Sequence, residues 1–152
     1  MALEFQHPIH NYALFFSKLT PENLSEIAKL VSDDMVFSDP FNHTCGRDNF
    51  ISIFQHMFKV MENPKFEILD VSVSSRAGYV KWRLTGKVKK WSQIPINITG
   101  MSEVINDQDG QITAHYDHWD SASQLLVYIP VLGLPTVWLL GLFKPKSFGQ
   151  LG

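Results

Sequence analysis

The stretch Val36-Phe37-Ser38-Asp39-Pro40-Phe41-Asn42, followed by Gly46-Arg47-Asp48 and an apolar helix, decides how the chain is read. It ends a short β-branched and aromatic run on a carboxylate, immediately before a proline that cannot extend a sheet ladder. Two readings stand side by side. Asp39 either satisfies the backbone of an Asp-Pro turn, or sits among aromatic side chains where burial lifts a carboxyl toward the range useful for moving protons.

Working outward toward the N-terminus, Ile9, Tyr12, Ala13 and Phe16 recur at helical spacing, and predict a helix over 8–18. Thr20 as N-cap, Pro21 at the first helical position, and Leu24, Ile27, Ala28 and Val31 predict a second helix running up to Asp33. Residues 35–38 then read as a short strand and 42–46 as a loop. Toward the C-terminus, Phe50, Ile53, Phe54, Met57, Phe58 and Met61 line one face of a third helix ending near Asn63-Pro64.

From Lys65 the period becomes two. Phe66 and Ile68 alternate with polar residues, 75–78 is a turn, and Val80, Trp82 and Leu84 share one face of a strand over 79–90. A further strand covers 94–106, Asp107 to Gly110 is a turn, and 111–120 returns. Helices first and long strands afterwards argue for α+β, a curved antiparallel sheet with helices packed on one face.

With 152 residues, 45% of them hydrophobic, the chain suits one domain: residues 1–124, with 125–152 as a hydrophobic extension. A net charge of -2 gives no field that gathers nucleic acid. The single Cys45 and an N-terminus without a basic-then-apolar pattern make the cytoplasm the expected location.

The order helix, helix, Asp-Pro-Phe corner, Gly46-Arg47 opening a helix, and a four-strand meander ending in His115-Tyr116-Asp117-His118-Trp119-Asp120 resembles the nuclear transport factor 2-like superfamily. Within it the chain is similar to steroid delta-isomerases and SnoaL-type polyketide cyclases over about residues 8–122. The resemblance implies a cone-shaped sheet with the N-terminal helices on its concave face, and a homodimer. It puts Asp39 in the place of the isomerases' general base. It puts Phe15 where their oxyanion-hole tyrosine belongs, and Met101 or Ser102 where their protonated acid belongs. Neither is such a donor, and Tyr12, one turn before Phe15, is the nearest replacement.

Strand alternation puts His115, Asp117 and Trp119 on one face, so an imidazole and a second carboxylate join the site. A structural pairing of Asp117 with Arg83 or Lys81 is the competing reading. The expected pocket is deep and apolar, lined by Tyr12, Phe15, Phe16, Phe37, Phe54, Phe58, Trp82, Met101 and Trp119, with Asp39, Asp117 and His115 as its catalytic groups. His115, Asp117, His118 and Asp120 divide between two faces, leaving no zinc-type spacing; neither metal nor cofactor is expected. The functional expectation is an isomerase or cyclase acting on a small hydrophobic carbonyl compound, or a binding protein that holds a lipid, steroid or polyketide unchanged. Residues 125–143 carry no charge, and are read as a flap or dimer contact, as a wedge on a membrane surface beside Lys144 and Lys146, or as a membrane span.

Overall fold

The computed structural model describes residues 7–90 and 94–144. The chain divides into two compact units, Met1–Trp119 and Asp120–Gly152. In the first, α1 (Pro8–Ser17) and α2 (Arg47–Val60) accompany a six-stranded curved, unclosed sheet of β1 (Val31–Ser38), β2 (His43–Cys45), β3 (Met61–Val73), β4 (Gly78–Val88), β5 (Ile94–Asn106) and β6 (Ile112–His118). The strand order β2-β1-β6-β5-β4-β3 forms the expected cone, with the helices on the concave side.

α1 begins with Pro8 at a position that needs no amide donor, and its buried face is Ile9, Tyr12, Ala13 and Phe16. The predicted second helix is a short 3-10 turn over Leu24–Lys29. Before it, Thr20 and Asn23 bond reciprocally: each backbone N–H donates to the other's side-chain oxygen, and the Asn23 amide donates to the Lys18 carbonyl. The strand then starts at Val31, earlier than expected, because the Ile112 N–H bonds to the Leu30 carbonyl and Val31 pairs with Ile112.

α2 starts at Gly46, whose φ of 100° suits glycine and whose N–H bonds to the Met35 carbonyl. Arg47, next in sequence, bonds to the Ala28 carbonyl and pairs with Asp33, tying α2 to the start of β1. β3 also begins earlier than the sequence suggested. Pro64 is carried in the strand by a register shift between Glu62 and Lys65, the bulge in which a residue without an N–H is tolerated.

The pairing of β1 with β6 is parallel, and alternation along a meander gave no sign of it. It sets Phe37 beside His115 and Ser38 beside Tyr116, and so brings the Asp39 corner alongside Asp117. The core is aromatic: Phe16, Phe37, Phe50 and Phe54 meet edge to face or tilted, their ring centroids 5.1–6.2 Å apart in the pairs Phe16–Phe54, Phe37–Phe50, Phe37–Phe54 and Phe50–Phe54.

The second unit contains α3 (Ser121–Gln124), a 3-10 turn Leu126–Tyr128 and α4 (Gly133–Gly141). Asp120 caps α3, and bonds from the Ser123 hydroxyl and N–H hold its carboxyl below the ordinary range. Among the described residues no helix is long and apolar enough to cross a membrane.

Candidate active site

A buried hydrogen-bonded chain runs through the cone. The Tyr12 hydroxyl on α1 lies 2.7 Å from His115 Nδ1, and His115 Nε2 lies 2.7 Å from Asp117 Oδ1. Ser102 Oγ on β5 donates to the same Asp117 oxygen at 2.5 Å, and the Trp82 indole N–H on β4 donates to Ser102 Oγ at 2.8 Å. Tyr12, His115, Ser102 and Trp82 are all buried, while Asp117 keeps 16% of its side chain exposed.

The directions of these bonds follow from the groups themselves. An ionised carboxylate only accepts; facing one, a neutral imidazole carries its proton on Nε2 and presents Nδ1 as an acceptor to Tyr12. Donors therefore converge on Asp117 from both ends, Tyr12 through His115 on one side and Trp82 through Ser102 on the other. Burial, reinforced by the negative Asp117, holds the Tyr12 hydroxyl well above its usual range and keeps it a donor. Both convergent bonds end on Oδ1, and no hydrogen bond of the described residues reaches Oδ2.

Asp117 stands between two spaces. On one side is an apolar chamber of about 20 Å³, lined by Tyr12, Phe16, Phe54, Phe66 and Trp82 among others. On the other is an open cleft of about 420 Å³ lined by Ser38, Asp39, Pro40, Glu103, Tyr116, His118 and Trp119. Tyr12, Phe16, Phe54 and Trp82, four of the residues expected to line a deep pocket, line the apolar chamber. Its aromatic side chains pack on one another, and the chamber they leave is about the size of one water molecule.

Asp39 lies half-buried at the cleft. Its Oδ1 accepts from the Phe41 and Asn42 backbone N–H groups at 2.7 and 2.6 Å, and the Asn42 amide contacts both oxygens at 3.1 Å. This is the geometry of an Asp-Pro turn. Trp119 lines the same cleft and meets the exposed Phe41 ring edge to face.

Phe16, Phe54 and Trp82 line the inner chamber, and Phe37 packs on His115 at 5.3 Å between ring centroids. Met101 is a correction. It pairs with Lys81 and His118, one residue out of phase with buried Ser102, and is 43% exposed on the opposite face. Phe58 is another, lining surface grooves with Pro21 instead. Phe15 touches Phe16 but does not line the chamber, whereas Tyr12, one turn earlier on α1, is buried and does. Arg83, the alternative partner for Asp117, pairs with Glu67 at 3.2 Å.

Sequence reasoning missed the Tyr12–His115 bond, the Trp82–Ser102 bond and Phe66. The hairpin register held the signal for the second, because Trp82 pairs with Gly100 and so stands two residues from Ser102 on one face. Among the described residues no group of three His, Cys, Asp or Glu side chains is placed to hold a metal ion.

Solved structures share this architecture. A candidate SnoaL-like polyketide cyclase from Jannaschia sp. CCS1 superposes with a TM-score of 0.73 at 12% identity, over 86% of this chain and 96% of its own. A protein with a ketosteroid isomerase-like fold from Catenulispora acidiphila, in complex with trimethylamine, gives 0.68 at 16% identity, over 88% of this chain and 97% of its own. An LEH-like epoxide hydrolase of M. tuberculosis gives 0.65 at 15% identity, over 91% and 97%. At these identities the likeness is one of fold. No curated protein matches the sequence. The SnoaL-like domain model matches residues 13–115, a span that holds the Asp39 corner, α2, β1 to β5 and His115, and the chain belongs to that family.

Proposed function

We propose that this chain is a proton-transfer enzyme acting on a small hydrophobic carbonyl compound, with Asp117 as the base and His115 as the group that orients it and buffers its charge. One observation carries the reading: a part-buried carboxylate against an aromatic core, with donors converging on one oxygen and no hydrogen bond of the described residues reaching the other. Such an arrangement is costly to bury, and it holds the carboxylate in one orientation. In the step proposed, Oδ2 takes a proton from the carbon next to a carbonyl, the electron pair moves into an enolate, and the neutral acid returns the proton to another carbon. Tyr116 and His118 line the same cleft and are the donors at hand for the enolate oxygen. The cleft is of a size typical of small-molecule sites. Asp39, its carboxylate engaged by the turn, shapes the cleft wall.

A binding protein without turnover is the second reading. The observation that favours it is the chamber beside Asp117, which is too small for a steroid or polyketide. Exchange of α-protons for deuterium in 1-indanone and 2-cyclohexenone, followed by NMR, separates the two. The enzyme reading expects exchange above buffer that falls about 100-fold or more in Asp117→Asn. Binding of these ketones with exchange equal in wild type and Asp117→Asn supports the carrier reading.

A further inference from the structure

We propose that the charge-free segment of residues 125–143 is a wedge that docks the chain on the surface of an anionic lipid bilayer. α4 is apolar around its circumference apart from Thr136. At 100° per residue, its exposed side chains, from Val137 through Leu134 and Trp138 to Leu139, span an arc of about 200°. A helix seated in a protein groove buries a stripe only somewhat over 100° wide. A medium that surrounds the helix suits the wider arc.

The exposure is greatest at the turn before α4 and at its ends: Val131 is 91% exposed, Leu134 85% and Phe143 82%. Val131 also has a φ of 73°, which a β-branched residue seldom adopts, so the turn holds an apolar side chain outward against its backbone preference. Gly133 permits the turn to close, since a Cβ there would come within 2.4 Å of the Val127 carbonyl oxygen.

Charge selects the kind of surface. After Asp120 the sequence contains Lys144 and Lys146 and no acidic residue. Two cations that follow the apolar segment in sequence match an anionic leaflet. Nine helical residues rise about 14 Å, less than half of a hydrocarbon core of about 30 Å, so the wedge enters one leaflet and does not span.

Co-sedimentation of the full chain with phosphatidylcholine vesicles, with and without phosphatidylserine, tests this. The chain is expected to pellet with the phosphatidylserine vesicles. Leu134→Glu/Trp138→Glu, both in exposed positions, is expected to lower the partition coefficient about tenfold or more. Lys144→Glu/Lys146→Glu leaves the wedge intact, and is expected to lower partitioning onto the phosphatidylserine vesicles by about fivefold per lysine. Wild-type protein that stays in the supernatant with both vesicle types overturns the proposal. So does sedimentation velocity showing, without pelleting, a dimer that Leu134→Glu/Trp138→Glu returns to monomer, since a second copy then covers the segment.

Discussion

Tyr12 and Asp39 exchange the importance that their positions in the sequence suggest. Tyr12 is 2% exposed and gives its only proton to His115, so Tyr12→Phe leaves a buried ring nitrogen without a donor. Urea denaturation is expected to show a loss of about 1–3 kcal/mol at neutral pH. The raised Tyr12 ionisation adds a pH dependence. The folded chain holds this proton while the unfolded chain releases it near pH 10, so the contribution is whole below about pH 10 and falls as pH rises from there toward the folded value. Wild-type stability should decline with a slope of about 1.4 kcal/mol per pH unit from this one group, and the slope should flatten by that amount in Tyr12→Phe. Asp39→Ala removes the acceptor of the Phe41 and Asn42 donors, and is expected to cost about 1–2 kcal/mol in the same assay. In the indanone assay it should raise KM more than it lowers kcat, whereas Asp117→Asn acts on kcat. The sequence held Asp39, Asp117 and His115 in view. The choice among them was not legible there, because it depends on a parallel pairing between strands some 75 residues apart.

Among the elements, β4 and β5 place the second arm of the hydrogen-bonded chain. Their antiparallel register sets Trp82 over Gly100, where an added Cβ would lie 2.5 Å from the indole and 3.0 Å from the Trp119 Cβ. Gly100→Ala is therefore expected to displace the indole from Ser102. It should cost about 1–3 kcal/mol by urea denaturation and shift the Trp82 indole N–H resonance toward that of an unbonded indole. On α2 and β1, Phe37→Ala opens the wall against His115 and is expected to cost about 3–5 kcal/mol. Periodicity found these elements because long strands and an amphipathic helix repeat their apolar residues over ten positions or more. It failed at 20–31, where a 3-10 turn over Leu24–Lys29 gives way to the pairing of Val31 with Ile112, a partner about 80 residues on that local spacing cannot show. At Met101 and Ser102 two adjacent residues face opposite ways, and only the ladder register separates them.

At the scale of the whole first unit, four elements meet at one carboxylate: α1 through Tyr12, β6 through His115 and Asp117, β5 through Ser102 and β4 through Trp82. The cone is legible from the order of helices and strands. Its filling is not, because aromatic residues that line a cavity and those that fill it share the same spacing in sequence. What distinguishes this interior is polarity held in a fixed direction, every donor aimed toward Asp117. Long-range proton–nitrogen NMR on 15N-histidine-labelled protein at pH 8, with His115→Gln for assignment, reads that direction. The His115 proton is expected on Nε2, with Nδ1 appearing as an unprotonated acceptor whose shift changes in Tyr12→Phe. A proton found on Nδ1, or an Nδ1 resonance indifferent to Tyr12→Phe, would contradict the array and the proton chemistry built on it.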